Sequence, residues 1–206
     1  MQRQSAWGQG KTDLCAVGYG GQVTSHDSLV TAAIELTDDD RRVVTLWAAD
    51  CAERVLPLFE AKAPADTGPR DAIAGARAYA RDGKRTTHLR TVALAAHATA
   101  REVGDPVATA AARAAGCAAA TPYTHPLATP HQSKHVLGPA VYAALAREAS
   151  AGNDTAVGDE ELGWAIGRAS PTVREVVRRF PPRSPGRTRL ATLLYQLDAG
   201  LRCRPS

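Results

Sequence analysis

Residues 46–60 read LWAADCAERVLPLFE, and the spacing within this stretch decides the fold class. With the residues just before it, Val44, Trp47, Cys51, Val55 and Leu58 recur at steps of three and four, the period that gathers apolar side chains into one stripe along an α-helix. Asp50 and Arg54 flank the stripe and are spaced to pair across one helical turn. Upstream, Thr37 followed by Asp38, Asp39 and Asp40 supplies an N-cap and negative charge for a first turn. Downstream, Pro57 lacks an amide donor and collides with the carbonyl four residues back. It predicts a kink between Glu53 and Pro57, with the helix ending near Lys62.

The same period continues along the chain. Pro69 opens a second helix with Ile73, Ala76 and Ala80 inward, and Gly83 ends it. Thr86 opens a third, with Leu89, Val92, Ala96, Ala100 and Val103 as its stripe and Gly104 beyond it. Pro106 begins PVATAAARAAGCAAAT, whose alanine surface lets helices approach closely while burying little area per residue. Pro122, Pro126 and Pro130 make TPYTHPLATP an extended connection. A helix is then expected from Gln132 to Ser150, carrying Val136, Val141, Tyr142 and Leu145, with a bend at Gly138 and Pro139. After a linker at Gly152, Asn153 and Asp154, three further helices are predicted over Asp159 to Ala169, Pro171 to Phe180 and Thr188 to Arg202.

No stretch alternates as a paired strand does. The reading is therefore all-α, an antiparallel multi-helix bundle with a small C-terminal helical annex. Its parts are a flexible glycine-rich extension over residues 1–28, the bundle over 29–152 and the annex over 153–206.

At 206 residues and 44% hydrophobic composition, the chain can bury a sizeable core. Cys15, Cys51, Cys117 and Cys203 stand singly, with no CxxC pair, as expected of reduced thiols. The first residues hold no apolar run of a secretory signal, and no stretch is apolar for about 18 residues. The expectation is a cytoplasmic protein that does not enter a membrane. The net charge of +4 is spread thinly. Its one concentration runs from Arg174 through Arg178, Arg179, Arg183 and Arg187 to Arg189, where a salt-sensitive nucleic-acid contact is the minor reading.

Ionisable groups at the helix seams are the candidates for chemistry. Arg90, Leu94, His97 and Arg101 follow one another at steps of four, three and four, so His97 and Arg101 share a stripe. If neighbouring helices run antiparallel, Asp50, Glu53 and Arg54 can face Arg77 and His97. Such a set serves either as an ion network fixing helix register or as a pocket in which a carboxylate orients His97 for proton transfer while arginine holds an anion. His131 and His135 are four apart, but HQSKH lacks the glutamate of HExxH and a third ligand, so no metal is expected. Phosphate loops of the GxxxxGK[ST] type, a GxGxxG after a strand and a GxSxG elbow are all missing, and no cofactor is expected.

From about Leu36 to Ala146 the chain resembles the immunity proteins of bacterial polymorphic toxin systems, in the immunity-five-like helical group at times mislabelled as SbcC-like exonucleases. The matching segments are LTDDDRR, LWAADCAERVLPLFE, PRDAIAGARAYARDG, RTVALAAHATAREVGDPVATAAARAAGCAAAT and HVLGPAVYAA, in that order, and more loosely ELGWAI. The resemblance implies an all-helical cytoplasmic protein without cofactor that binds and neutralises a protein toxin by occlusion rather than turnover. Partner-facing residues are then expected among Asp50, Arg54, Arg77, His97, Arg101 and Tyr142. Cys117 stands where the group often has a histidine or other polar residue, the next connection is lengthened by TPYTHPLATPHQS, and the glycine-rich extension has no counterpart. These departures keep an alternative open: a cofactor-independent enzyme or small-molecule-binding protein of a natural-product biosynthetic cluster, with Asp50, His97 and Arg101 around a polar pocket and Glu53 and His135 beside them.

Overall fold

The computed structural model describes residues 32–203; the glycine-rich stretch 1–28, with Cys15, lies outside them. The described chain is all-α. Its helices are α1 (Asp38–Glu53), α2 (Leu56–Glu60), α3 (Gly68–Asp82), α4 (Thr87–Glu102), α5 (Pro106–Ala120), α6 (Pro130–Ser150), α7 (Thr155–Arg168), α8 (Pro171–Arg179) and α9 (Arg189–Arg202). Local chemistry sets their ends. Thr37 and Asp40 form a reciprocal capping box at α1. Thr86, Asp105, Thr129, Asp154, Ser170 and Thr188 accept from first-turn amides of α4 to α9 in turn. Gly83 takes the left-handed conformation that closes α3 (φ 71°).

Pro57 ends a helix rather than bending one. α1 stops at Glu53, Val55 sits at φ −110° and ψ 0°, and α2 restarts with Pro57 in its first turn. The break resets the register, so Phe59 is fully buried while the expected Leu58 is only half-buried. Elsewhere α6 begins two residues early, at Pro130 behind the Thr129 cap, and runs unbroken through Pro139. α7 begins at Thr155 rather than Asp159. The expected extended connection starts with a 3-10 turn, Thr121–Tyr123, and Leu127 then forms an isolated antiparallel bridge with Ala33.

α5 lies at the centre, against α1, α2, α3, α4 and α6. Ala108, Ala111, Ala112, Ala114, Ala115, Ala118 and Ala119 are all buried; side chains this short allow neighbours on almost every side of one helix. Beyond the exposed Pro106 at its start, only Thr109, Arg113, Cys117 and Ala120 of this helix are not fully buried. A second core of larger side chains joins α1 and α6 to α7, α8 and α9 through Trp47, Leu137, Val173, Phe180, Leu193 and Leu197. Trp47 Nε1 donates to the Ala165 carbonyl at 3.0 Å inside it. No described helix is long and apolar enough to cross a membrane.

Candidate functional site

The structure divides the expected site into two. Asp50 and Glu53 leave the outer edge of α1 toward α3, where Arg77 Nη2 donates to Asp50 Oδ1 at 2.9 Å and also to Glu53 Oε2. Both carboxylates hold the Arg77 guanidinium above its ordinary range, against the opposing pull of burial. Arg54, expected to pair with Asp50 one turn back, turns instead to α7. Its Nε and Nη2 donate to the two oxygens of Glu161 at 2.5 and 3.0 Å, and its guanidinium lies 4.0 Å from the Trp164 ring centre. The reason is desolvation. Glu161 is only 4% exposed, and a buried carboxylate gains more from a two-pronged guanidinium than an edge aspartate does. Asp50, Glu53, Arg54, Trp164 and Arg168 line an open depression of about 270 Å³. Each carboxylate of the expected set is thus already engaged.

His97 is elsewhere. Its ring lies flat against α5 at Gly116, where an added Cβ would come within 2.9 Å of Cε1 and Nδ1. Burial, then Arg101 and Arg113, depress its pKa below the ordinary 6.5 and favour the neutral ring. Of the residues expected around one polar pocket, Asp50 is thus held by α3 and His97 packs on α5, while Arg101 is exposed on α4. His135 is half-buried on α6 with its pKa also depressed, by burial and then by His131, His125, Lys134 and His97. His131 and His135 meet in a T-shaped arrangement with ring centres 5.3 Å apart and planes nearly perpendicular. Among the described residues no group of three or more His, Cys, Asp or Glu side chains is placed to hold a metal ion.

The side that carries His97 is cationic. Arg90 and Arg101 on α4, Arg113 on α5 and Lys134 on α6 are exposed, and none makes an ion pair with a described residue. Between Lys84 and Arg147 seven lysines and arginines stand against two acids, Glu102 and Asp105, and Asp105 is taken by Lys62 at 3.5 Å. Tyrosines support two of the free arginines: Arg90 lies 5.1 Å from the Tyr123 ring centre and Arg113 5.8 Å from that of Tyr142. Shallow depressions open at both places. One, of about 370 Å³, is lined by Arg85, Arg90 and Tyr123; the other, of about 280 Å³, by Arg113, Tyr142, Leu145 and Glu148. Glu148 there is already bound by Arg189. Between the helices, Cys117 fits under Gly138, and burial pushes its thiol up to about 12, which leaves it an unreactive packing residue.

Sequence reading selected His97, Arg101 and Tyr142 on this side and missed Arg90, Arg113 and Lys134 as a set. The available signal was Arg113, the one charge in an alanine helix, in step with Thr109 and Cys117. Apart from the exposed Arg187, the basic run from Arg174 to Arg189 is by contrast turned inward. Arg174 donates to the carbonyls of Ile166 and Gly200, Arg178 to that of Arg202, Arg179 to Asp40, Arg183 to the Pro130 carbonyl and Arg189 to Glu148 and Asp159. Those guanidiniums tie α8 and α9 to the bundle and leave Arg187 as the exposed arginine of the run, far short of the several basic contacts that phosphate binding draws on.

No curated protein and no solved structure matches this chain. A family model described as "Imm-5 like putative immunity protein" does match it, over residues 35–172, a span running from Glu35, just before α1, into the first turn of α8 and including every residue of both charged faces. The chain belongs to that immunity-protein family.

Proposed function

We propose that this protein neutralises a cognate toxin of a bacterial polymorphic toxin system by binding it in the cytoplasm, without catalysis. Membership of the immunity-protein family is the observation that carries this reading. The site geometry supports it. Asp50 and Glu53 at the α1 edge share Arg77, Glu161 on α7 is held by Arg54, and the depressions are shallow and open rather than a concavity with converging acid and base. Neutralisation by such a surface is association that covers the part of the toxin needed for damage.

Coexpression tests the reading. A toxin domain encoded beside this gene should arrest growth when produced alone, and this protein should restore growth and copurify with the toxin as a stable complex. No rescue and no association with any adjacent gene product would overturn it.

A further inference from the structure

The face formed by α4, α5 and α6 combines features that the rest of the described molecule keeps apart. Four exposed basic side chains, Arg90, Arg101, Arg113 and Lys134, project from three neighbouring helices without carboxylate partners among the described residues. Leu94 lies between Arg90 and His97 on α4 and is 64% exposed, the most exposed large apolar side chain among the described residues. Tyr123 and Tyr142 lie half-buried under the two arginines at its ends. From Arg90 to Arg101 the face extends about 16 Å along α4, and three helix widths give it about 20 Å across. That is the scale of the core of a standard protein interface, whose anchors are characteristically arginine and tyrosine.

We infer that this face is the surface on which the neutralised toxin docks, and that the toxin presents to it an acidic patch with an apolar contact for Leu94. The inference rests on the immunity reading and specifies its partner. Charge complementarity selects the occupant: unpaired cations of one sign steer and retain an anionic surface and repel a basic one. A toxin whose covered region is itself a cationic nucleic-acid cleft is excluded as the docked surface. A protein fits better than a nucleic acid because strong phosphate binding draws on about six to ten basic contacts. Here four are spaced by Leu94, alanines and a neutral His97, and two of them lie over tyrosine rings.

The test uses the full chain and the toxin domain encoded beside it, with affinity measured by titration at two salt concentrations. A face variant carries Arg90→Glu, Arg101→Glu, Arg113→Glu and Lys134→Glu; a control carries Arg168→Glu and Arg187→Glu, which also reverse exposed cations without described ion-pair partners. The face variant should bind at least 100-fold more weakly with an unchanged helical signal and melting point, the control within threefold of the parent, and the parent should lose affinity as salt rises. Should the reversed face fold poorly, the corresponding glutamine set should still cost about tenfold. Equal loss in face and control variants, or none in either, overturns the docking face while leaving the immunity reading intact. Absence of parental binding and of protection in cells overturns the immunity reading and this inference with it. Binding of a 20-nucleotide single strand or duplex by the parent, lost in the face variant while toxin binding persists, would assign the face to nucleic acid instead.

Discussion

Along α1, α3 and α7 the carboxylates of the seam are held by arginines of another helix, whereas on the face of α4, α5 and α6 Arg90, Arg101, Arg113 and Lys134 meet no carboxylate among the described residues. The difference is one of burial: Glu161 is 4% exposed, whereas the four cations of the other region are exposed. Paired charges close a folding requirement: Glu161, once dehydrated, needs Arg54. Unpaired charges leave stability largely indifferent and electrostatic potential projecting into solvent. A charged surface that the fold does not consume is the one available to an outside partner.

The contrast predicts unequal costs of deletion. Glu161→Ala removes a buried carboxylate that accepts both prongs of Arg54 and lies 3.7 Å from Arg147 Nε. Because both arginines are partly exposed and can rehydrate, the expected loss is about 2 kcal/mol rather than that of a fully buried pair. It should appear as a melting-point drop of roughly 5 °C. Arg101→Ala, on the unpaired side, should stay within about 0.5 kcal/mol of the parent. Thermal melts of the two variants side by side check the distinction; equal destabilisation would erase it.

How much of this arrangement was legible in the sequence follows from the range of the forces involved. Helix ends were readable because caps act within three residues: Thr37, Gly83, Thr86 and Pro106 mark boundaries that the structure keeps. The α1 stripe was readable up to Val55, after which Pro57 changed the register and put Phe59 where Leu58 was expected. The partner of Arg54 was not readable, since Glu161 lies 107 positions away and spacing along one helix speaks only of its own neighbours. The same limit hid the convergence of Arg90, Arg113 and Lys134, which no local pattern joins. It also made the dense run after Arg174 look solvent-facing when backbone carbonyls of α7 and α9 absorb much of it.

Within the unpaired face, the packing of His97 on Gly116 offers a smaller effect. Alanine at position 116 should gain about 0.5 to 1 kcal/mol of helix stability over glycine, but its Cβ would come within 2.9 Å of the imidazole, so the ring must swing outward. Gly116→Ala alone should therefore yield little or no gain, while Gly116→Ala added to His97→Ala should yield the full amount. Urea unfolding of the four proteins closes the cycle. The same increment in both backgrounds would show that the ring does not rest on Gly116.

The least effect is a dependence of stability on pH, and its sign follows from the two histidines of this face. Burial, then nearby cations, depress His97: Arg101 on its own helix and Arg113 on α5. Burial, then His131, His125, Lys134 and His97, depress His135. A folded state that prefers the neutral ring binds fewer protons than the unfolded chain, so stability rises with pH across the interval between the two pKa values. The contribution is complete above the ordinary histidine value of 6.5 and is lost as the pH falls toward the depressed folded values. Replacing both histidines, His97→Gln with His135→Gln, should flatten the stability curve in that window. It should leave untouched the acid limb below the ordinary 3.8 of aspartate, where Asp40 is held down by the Thr37 amide and Arg179 against the opposing effect of its own burial. Denaturant midpoints taken from pH 7.5 downward separate the limbs: a slope near pH 6 that survives the double replacement would place the titrating group outside the α4–α6 face.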